Sequence, residues 1–310
     1  MDRKIVVIGS SNIDFVMKMR RLPSVGETVT DASFVQAYGG KGANQAVAAA
    51  RAGGSVSFVN CVGDDAMAEA MVAQYREDGI DTEFVFREHG VSSGAALVMI
   101  GEQGSNYLSV APGANYRLTP AYLDRAAGNV SDAAMVVMQY EILPETLRHA
   151  LDLCHGCGTR VMWNCAPARE FDRSYLKKVT ILVVNENEAE ALSGISVRDE
   201  RSAGEAARRL REYGCTTVIV TLGARGSFIH SPDGELSVPA FTVEALDTTA
   251  AGDVYCGSLA VALVENKPLG ESVRFASAAA AISVTRLGAQ PSAPTRSEID
   301  AFLRSRTASQ

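Results

Sequence analysis

Residues 202–223, SAGEAARRLREYGCTTVIVTLG, carry two periodicities in succession. Ala203, Ala207, Leu210 and Tyr213 recur at helical spacing on one face, with arginines on the other. The run TTVIV that follows Gly214 is β-branched and apolar at successive positions, as in a strand covered on both faces. Similar apolar runs recur along the chain: KIVVIG (4–9), SVSFVNCVG (55–63), AMVVMQ (134–139), TRVMWN (159–164) and TILVVN (180–185). Each is followed by a loop and usually by a helical pattern. The expected fold is α/β, a doubly wound and mostly parallel sheet with helices on both faces.

Two segments break the alternation. Residues of about 14–37 and about 93–110 read as strands joined by glycine-containing turns, with no helical pattern between them. They are expected to form a small β-sheet lid over the strand ends; surface hairpins with no part in closure are the competing reading. No repeat, low-complexity tract or linker interrupts the chain. The expectation is therefore one domain over 1–310 with the lid as insertions.

Length and composition narrow the partners. With 310 residues and 47% hydrophobic content the chain can bury a large core, and its net charge of −7 argues against nucleic acid or an anionic membrane as the main partner. The first apolar run stops at Gly9, too short for a signal-peptide core or a membrane span. Six cysteines lie mostly inside apolar runs, as reduced, buried thiols do, so a cytoplasmic protein is expected. Cys154 and Cys157 in CHGC have zinc or redox spacing but no second pair, and none of the four histidines is paired.

In an open α/β sheet, ligands bind beyond the carboxyl ends of the strands. There GSSNID offers Asn12 and Asp14, which suit a polyhydroxylated ligand or simply end the strand in an Asx-turn. YGGKGANQAVAAARAG (38–53) is neither a Walker loop nor a dinucleotide fingerprint, since Gly42 and Gln45 stand at the wrong places. Its glycines either bring backbone close to a ligand, with Lys41 and Asn44 as polar contacts, or simply pack a helix start. In VVNENEAEAL, Asn185 and Glu188 are three apart at a helix start and can converge on one spot, or serve only the helix dipole. VTLGARGS supplies Thr221, Gly223 and Gly226 in another close-approach loop. Finally DTTAAGDVYCG (247–257) places small residues at a helix start, where open N–H groups attract an anion, yet keeps the carboxylate of Asp253. Asp253 is either a cap or a participant in chemistry.

Taken together, GGKGANQAVAAARAG, APARE (166–170), VNENEAE, TLGARG, DTTAAGD and TRLGAQPS resemble the ribokinase family of sugar kinases, from Lys4 to about Phe302. The resemblance implies an ATP-dependent kinase that phosphorylates the terminal hydroxyl of a pentose, D-ribose giving D-ribose 5-phosphate. A kinase for 2-deoxyribose, another small sugar or a nucleoside is the alternative. A non-catalytic sugar or nucleotide sensor would be expected to lack the base.

By the same resemblance Asp253 is the base, and the N–H groups of Ala250, Ala251, Gly252 and Asp253 form the hole for the phosphoryl group. Asn12, Asp14, Gly40, Lys41, Asn44 and Glu141 would hold the sugar. Asn185, Thr221, Gly223, Gly226, Gly252 and Ser277 would line the ATP site, with Glu188 ordering Mg²⁺ and its waters. Asp247, Thr249, Ser283, Arg286, Gly288 and Ser292 match a K⁺ site. The family also implies a homodimer through the lid. Val254, Tyr255 and Cys256 depart from the Thr-Phe-Asn common after the base, and Ser277 stands where a larger side chain is common.

Overall fold

The computed structural model describes residues 4–102 and 105–307. The strands among them are β1 (Lys4–Ile8), β2 (Asn12–Met19), β3 (Ser33–Gly39), β4 (Ser55–Val62), β5 (Val85–Arg87), β6 (Gly94–Gly101), β7 (Asn106–Ala111), β8 (Met135–Met138), β9 (Val161–Asn164), β10 (Ile181–Asn185), β11 (Thr217–Thr221), β12 (Ser227–Ser231) and β13 (Gly234–Val238).

The larger sheet has the order β13-β12-β11-β10-β9-β8-β1-β4-β5. Every pair from β11 to β5 is parallel, while β12 and β13 add an antiparallel hairpin at one edge. That hairpin escapes the sequence pattern because β13, GELSV, is exposed along most of its length. From β1 the chain winds outward to β4 and β5 on one side and to β8 through β11 on the other. Connections leaving β1 and its neighbour β8 therefore diverge, which opens a crevice beyond their carboxyl ends.

Alternation within each strand divides the core between two layers. Ile5 and Val7 pack under the helices Lys41–Arg51, Ala251–Val264 and Leu269–Ser283, whereas Val6 and Ile8 face the helices Pro144–Cys157 and Glu200–Glu212. The helix Ala251–Val264 is buried from Asp253 to Val264, so it shows no amphipathic stripe. In the opposite layer Trp163 is fully buried and meets the rings of Tyr140 and Phe171 edge-on at 5.9 and 4.8 Å. Truncating it to Ala would cost about 3–5 kcal/mol and loosen two strand ends at once. Within the same layer Cys154 is buried, while Cys157 is exposed and turns its thiol to Leu153 O at 3.1 Å. No cluster of three or more His, Cys, Asp or Glu among the described residues is placed to hold a metal ion.

The second sheet is the lid, ordered β3-β2-β6-β7. Two antiparallel pairs, β2 with β3 and β6 with β7, are joined by parallel pairing of β2 with β6, which sets Asn12 opposite Gly94. Residues 103 and 104 of the expected second insertion lie outside the described residues. Phe34, Val35, Leu97, Tyr107, Leu108 and Val110 are exposed on the lid.

Candidate active site

The crevice is built where the lid leaves the main sheet. Gly40 caps the helix Lys41–Arg51 with φ +86°, and a Cβ there would lie 2.7 Å from Ser11 Cα, so both conformation and space require glycine. The helix start thereby presses against the loop after β1. Glu141, in the loop after β8, locks the two together: its Oε2 accepts from Ser10 Oγ at 2.6 Å and from Lys41 N–H at 3.0 Å.

Asn12 and Asp14 lie two apart on β2 and share a face. Asn12 Oδ1 accepts from Asn115 Nδ2 at 2.8 Å, and Asn115 Oδ1 accepts from Ser11 N–H at 2.9 Å. Asn115, which the sequence pattern does not single out, thereby fixes the Asn12 side chain. Burial first, and then the charge of Glu141, raise the Asp14 carboxyl to about 6.

Asp253 sits in the first turn of the helix Ala251–Val264 and is 5% exposed. Its Oδ2 accepts from Asn44 Nδ2 at 3.0 Å and its Oδ1 from Gln45 Nε2 at 2.9 Å. Asn44 Oδ1 is buried without a hydrogen-bond partner among the described residues, an open acceptor beside the carboxylate. The field of Asp253, chiefly, and that of Glu141 and Glu188 hold the Lys41 ammonium charged against its burial.

The helix start itself is strained. Ala250 takes a left-handed conformation at φ 58°, which costs a side-chain-bearing residue on the order of 1 kcal/mol. Val254 N–H closes the first helical bond, to Ala250 O at 2.9 Å, and Ala251 N–H turns back to Thr248 O at 3.3 Å. The amides of Gly252 and Asp253 fall in the turn where a helix offers no acceptor.

Behind that turn lies a cavity of about 370 Å³ lined by Thr221, Gly223, Gly226, Gly252 and Ser277 among others, with Phe241, Val243, Ala280, Ala281 and Val284 as apolar wall. Asn185 and Glu188 are not in its wall. They form a reciprocal capping box at the helix Glu186–Ser193, with Asn185 Oδ1 accepting from Glu188 N–H and Glu188 Oε2 from Asn185 N–H, both at 2.9 Å. The register of β10 with β11 still puts Asn185 beside Thr221. Burial raises the Glu188 carboxyl, with Asp253 adding to it and the Asn185 N–H and Lys41 opposing it.

The remaining expected residues form two clasped loops. Asp247 Oδ1 accepts from Thr249 N–H and its Oδ2 from Gly288 N–H, each at 2.9 Å, while Val284 O accepts from Leu246 and Asp247 N–H. Burial alone would raise the Asp247 carboxyl, but these bonds bring it below its usual value. Ser283 and Ser292 turn their hydroxyls to Ala280 O and Ala289 O, and the Arg286 guanidinium pairs with Glu298 at 2.6 Å. Those three side chains are spent locally.

One helix start thus separates a polar crevice under the lid from an apolar cavity, with a carboxylate between them. The sequence profile of the pfkB family carbohydrate kinases matches residues 2–296. A ribokinase of Haemophilus influenzae is 38% identical over 98% of this chain and 99% of its own. A deoxyribokinase of Salmonella typhi is 37% identical over 96% of this chain and 98% of its own. The structure of Arabidopsis thaliana ribokinase complexed with ribose and ATP superimposes with a TM-score of 0.92 at 30% identity, covering 98% of this chain and 99% of that one.

Proposed function

The chain belongs to the pfkB family of carbohydrate kinases, and on that premise we propose that it transfers the γ-phosphoryl group of ATP to the terminal hydroxyl of D-ribose, giving D-ribose 5-phosphate. The observation that carries this reading is Asp253, held by two amides at the helix start between crevice and cavity. The sugar oxygen attacks the γ-phosphorus, the bond to the bridging oxygen of ADP breaks, and the hydroxyl proton passes to Asp253. Open amides of the first turn face the charge that develops on the phosphoryl oxygens.

In this reading Asn12, Asp14, Gly40, Lys41, Asn44 and Glu141 orient the sugar under the lid. Asn44 supports the assignment best, since its unpartnered Oδ1 can accept from a sugar hydroxyl while its Nδ2 holds the base. Lys41 offsets negative charge where nucleophile and phosphate meet. Thr221, Gly223, Gly226, Gly252 and Ser277 line the nucleotide cavity, with Asn185 opposite Thr221 on the neighbouring strand.

Mg²⁺ fits this donor set through Glu188 and the nucleotide phosphates, because it needs few protein ligands when phosphates and waters complete its shell. K⁺ fits the loops clasped by Asp247, whose donors are one carboxylate and backbone oxygens. Bound there, these ions supply charge neutralisation on the phosphates and a fixed loop geometry, respectively. The exposed apolar residues of the lid support a homodimer joined through it. No helix of the described residues is long and apolar enough to cross a membrane. Free, mostly buried cysteines support placing the enzyme in a reducing compartment, the cytoplasm.

A second reading, phosphorylation of 2-deoxyribose, draws on the similarity to the Salmonella typhi deoxyribokinase. ADP release measured with each pentose in parallel separates the two. A higher kcat/KM on ribose supports the first reading, and preference for 2-deoxyribose overturns it.

A further inference from the structure

Beneath Asp253 lies a line of buried amides, of which the reading above uses only the bond from Gln45 to the carboxylate. Gln45 is fully buried in the helix Lys41–Arg51, and its Nε2 donates both to Asp253 Oδ1 at 2.9 Å and to Asn164 Oδ1 at 3.0 Å. Its Oε1 accepts from Gln139 Nε2 at 2.7 Å. Asn164 in turn donates to Val183 O at 3.2 Å. Gln139 follows β8, Asn164 ends β9 and Val183 lies in β10, so three neighbouring strands hold one side chain.

The direction of donation is fixed. An ionised carboxylate only accepts, so Gln45 must present its NH₂ to Asp253, and its carbonyl is then left for Gln139. Gln139 adopts the matching orientation even though its own Oε1 is left without a partner among the described residues. A network that leaves one acceptor unpaired to keep this polarity is organised around the carboxylate rather than around local packing.

We propose that Gln45 is a positioning residue for the phosphoryl transfer: anchored by Gln139 and Asn164, it binds Asp253 Oδ1 and fixes the carboxylate so that Oδ2, beside Asn44, receives the sugar proton. This rests on the reading of Asp253 as the base. The titratable groups facing Asp253 are Lys41 from the helix that carries Gln45, Glu188 from the helix Glu186–Ser193, and the thiol of Cys256 in its own helix, which burial keeps neutral. None of them is among the hydrogen-bond partners of the Gln45 side chain, which are Asp253, Asn164 and Gln139 among the described residues.

The test is the pH dependence of kcat in Gln45→Met and Gln45→Glu, with Asp253→Asn as reference. Loss of an amide donor to a carboxylate favours its protonated form, so the acid limb of kcat in Gln45→Met should move up by about one pH unit, with kcat about tenfold lower at neutral pH. In Gln45→Glu a second acid faces Asp253, and the limb should move up further. A residue of purely structural value would lower the melting temperature and leave the limb where it is. An unmoved limb in either folded variant, with kcat within about twofold of wild type, overturns the proposal. If Asp253→Asn itself turns over normally, the base assignment fails instead.

Discussion

Asn44 and Asp253, 209 positions apart in the chain, meet through a buried 3.0 Å hydrogen bond from Nδ2 to Oδ2. The bond ties the glycine-rich helix start under the lid to the helix start beside the apolar cavity, so in the proposed function the sugar and phosphoryl halves of the site share one contact. Asn44→Ala removes that donor. A hydrogen bond to a charged group contributes about 1.5–3 kcal/mol, so kcat/KM for the pentose should fall about ten- to hundredfold. Steady-state kinetics at saturating ATP check this; an unchanged kcat/KM would detach Asn44 from catalysis.

Asp14 makes the fold sensitive to pH. Burial raises its carboxyl from the ordinary 3.8 to about 6 in the folded chain, so the folded state binds the extra proton between those values. The stability this contributes is present below the lower value and lost as pH rises through the higher one. Asp14→Asn should therefore be more stable than wild type at pH 8, by roughly 1–2 kcal/mol. The full shift would convert to ~3 kcal/mol, reduced here because the residue is only partly buried. The difference should shrink at pH 5, and affinity for the sugar should fall. Urea unfolding at both pH values checks it, and an equal difference at the two would contradict it.

Potassium should raise turnover, and Asp247→Ala should abolish that response. The same change frees the N–H groups of Thr249 and Gly288, with an expected stability loss of about 1–3 kcal/mol. Turnover titrated with KCl, against NaCl at equal ionic strength, reads the first effect. A full potassium response in Asp247→Ala would place the cation elsewhere.

The lid should pair two copies. Leu108 is 65% exposed among the apolar lid residues, and Leu108→Glu places a charge in that surface. Light scattering should give a dimer for wild type and a monomer for the variant. A wild-type monomer would remove the lid interface from the account.

The sequence reveals this fold where burial is two-sided, because strands such as Ile181–Asn185 are apolar at consecutive positions and need cover on both faces. Both lid insertions are legible by their lack of helical period. The parallel pairing of β2 with β6 is not, since it depends on partners far apart in the chain. At the site, Asp253, Lys41 and Asn44 stand out because glycines surround them. Gln45, Asn115, Gln139 and Asn164 do not: an isolated amide near a strand end or in an alanine-rich helix reads as a turn or a cap. The remaining signal is position, since Gln139 and Asn164 each follow a run of wholly buried residues, where an amide must find a partner.

The most direct measurement is ADP release from Mg-ATP with D-ribose by wild type and Asp253→Asn, with the phosphorylated product identified by ³¹P NMR. Wild type should give D-ribose 5-phosphate, and Asp253→Asn should remain folded with a rate lower by about 10²–10⁴. Undiminished turnover in Asp253→Asn, or no phosphorylation of ribose by wild type, would contradict the proposed function.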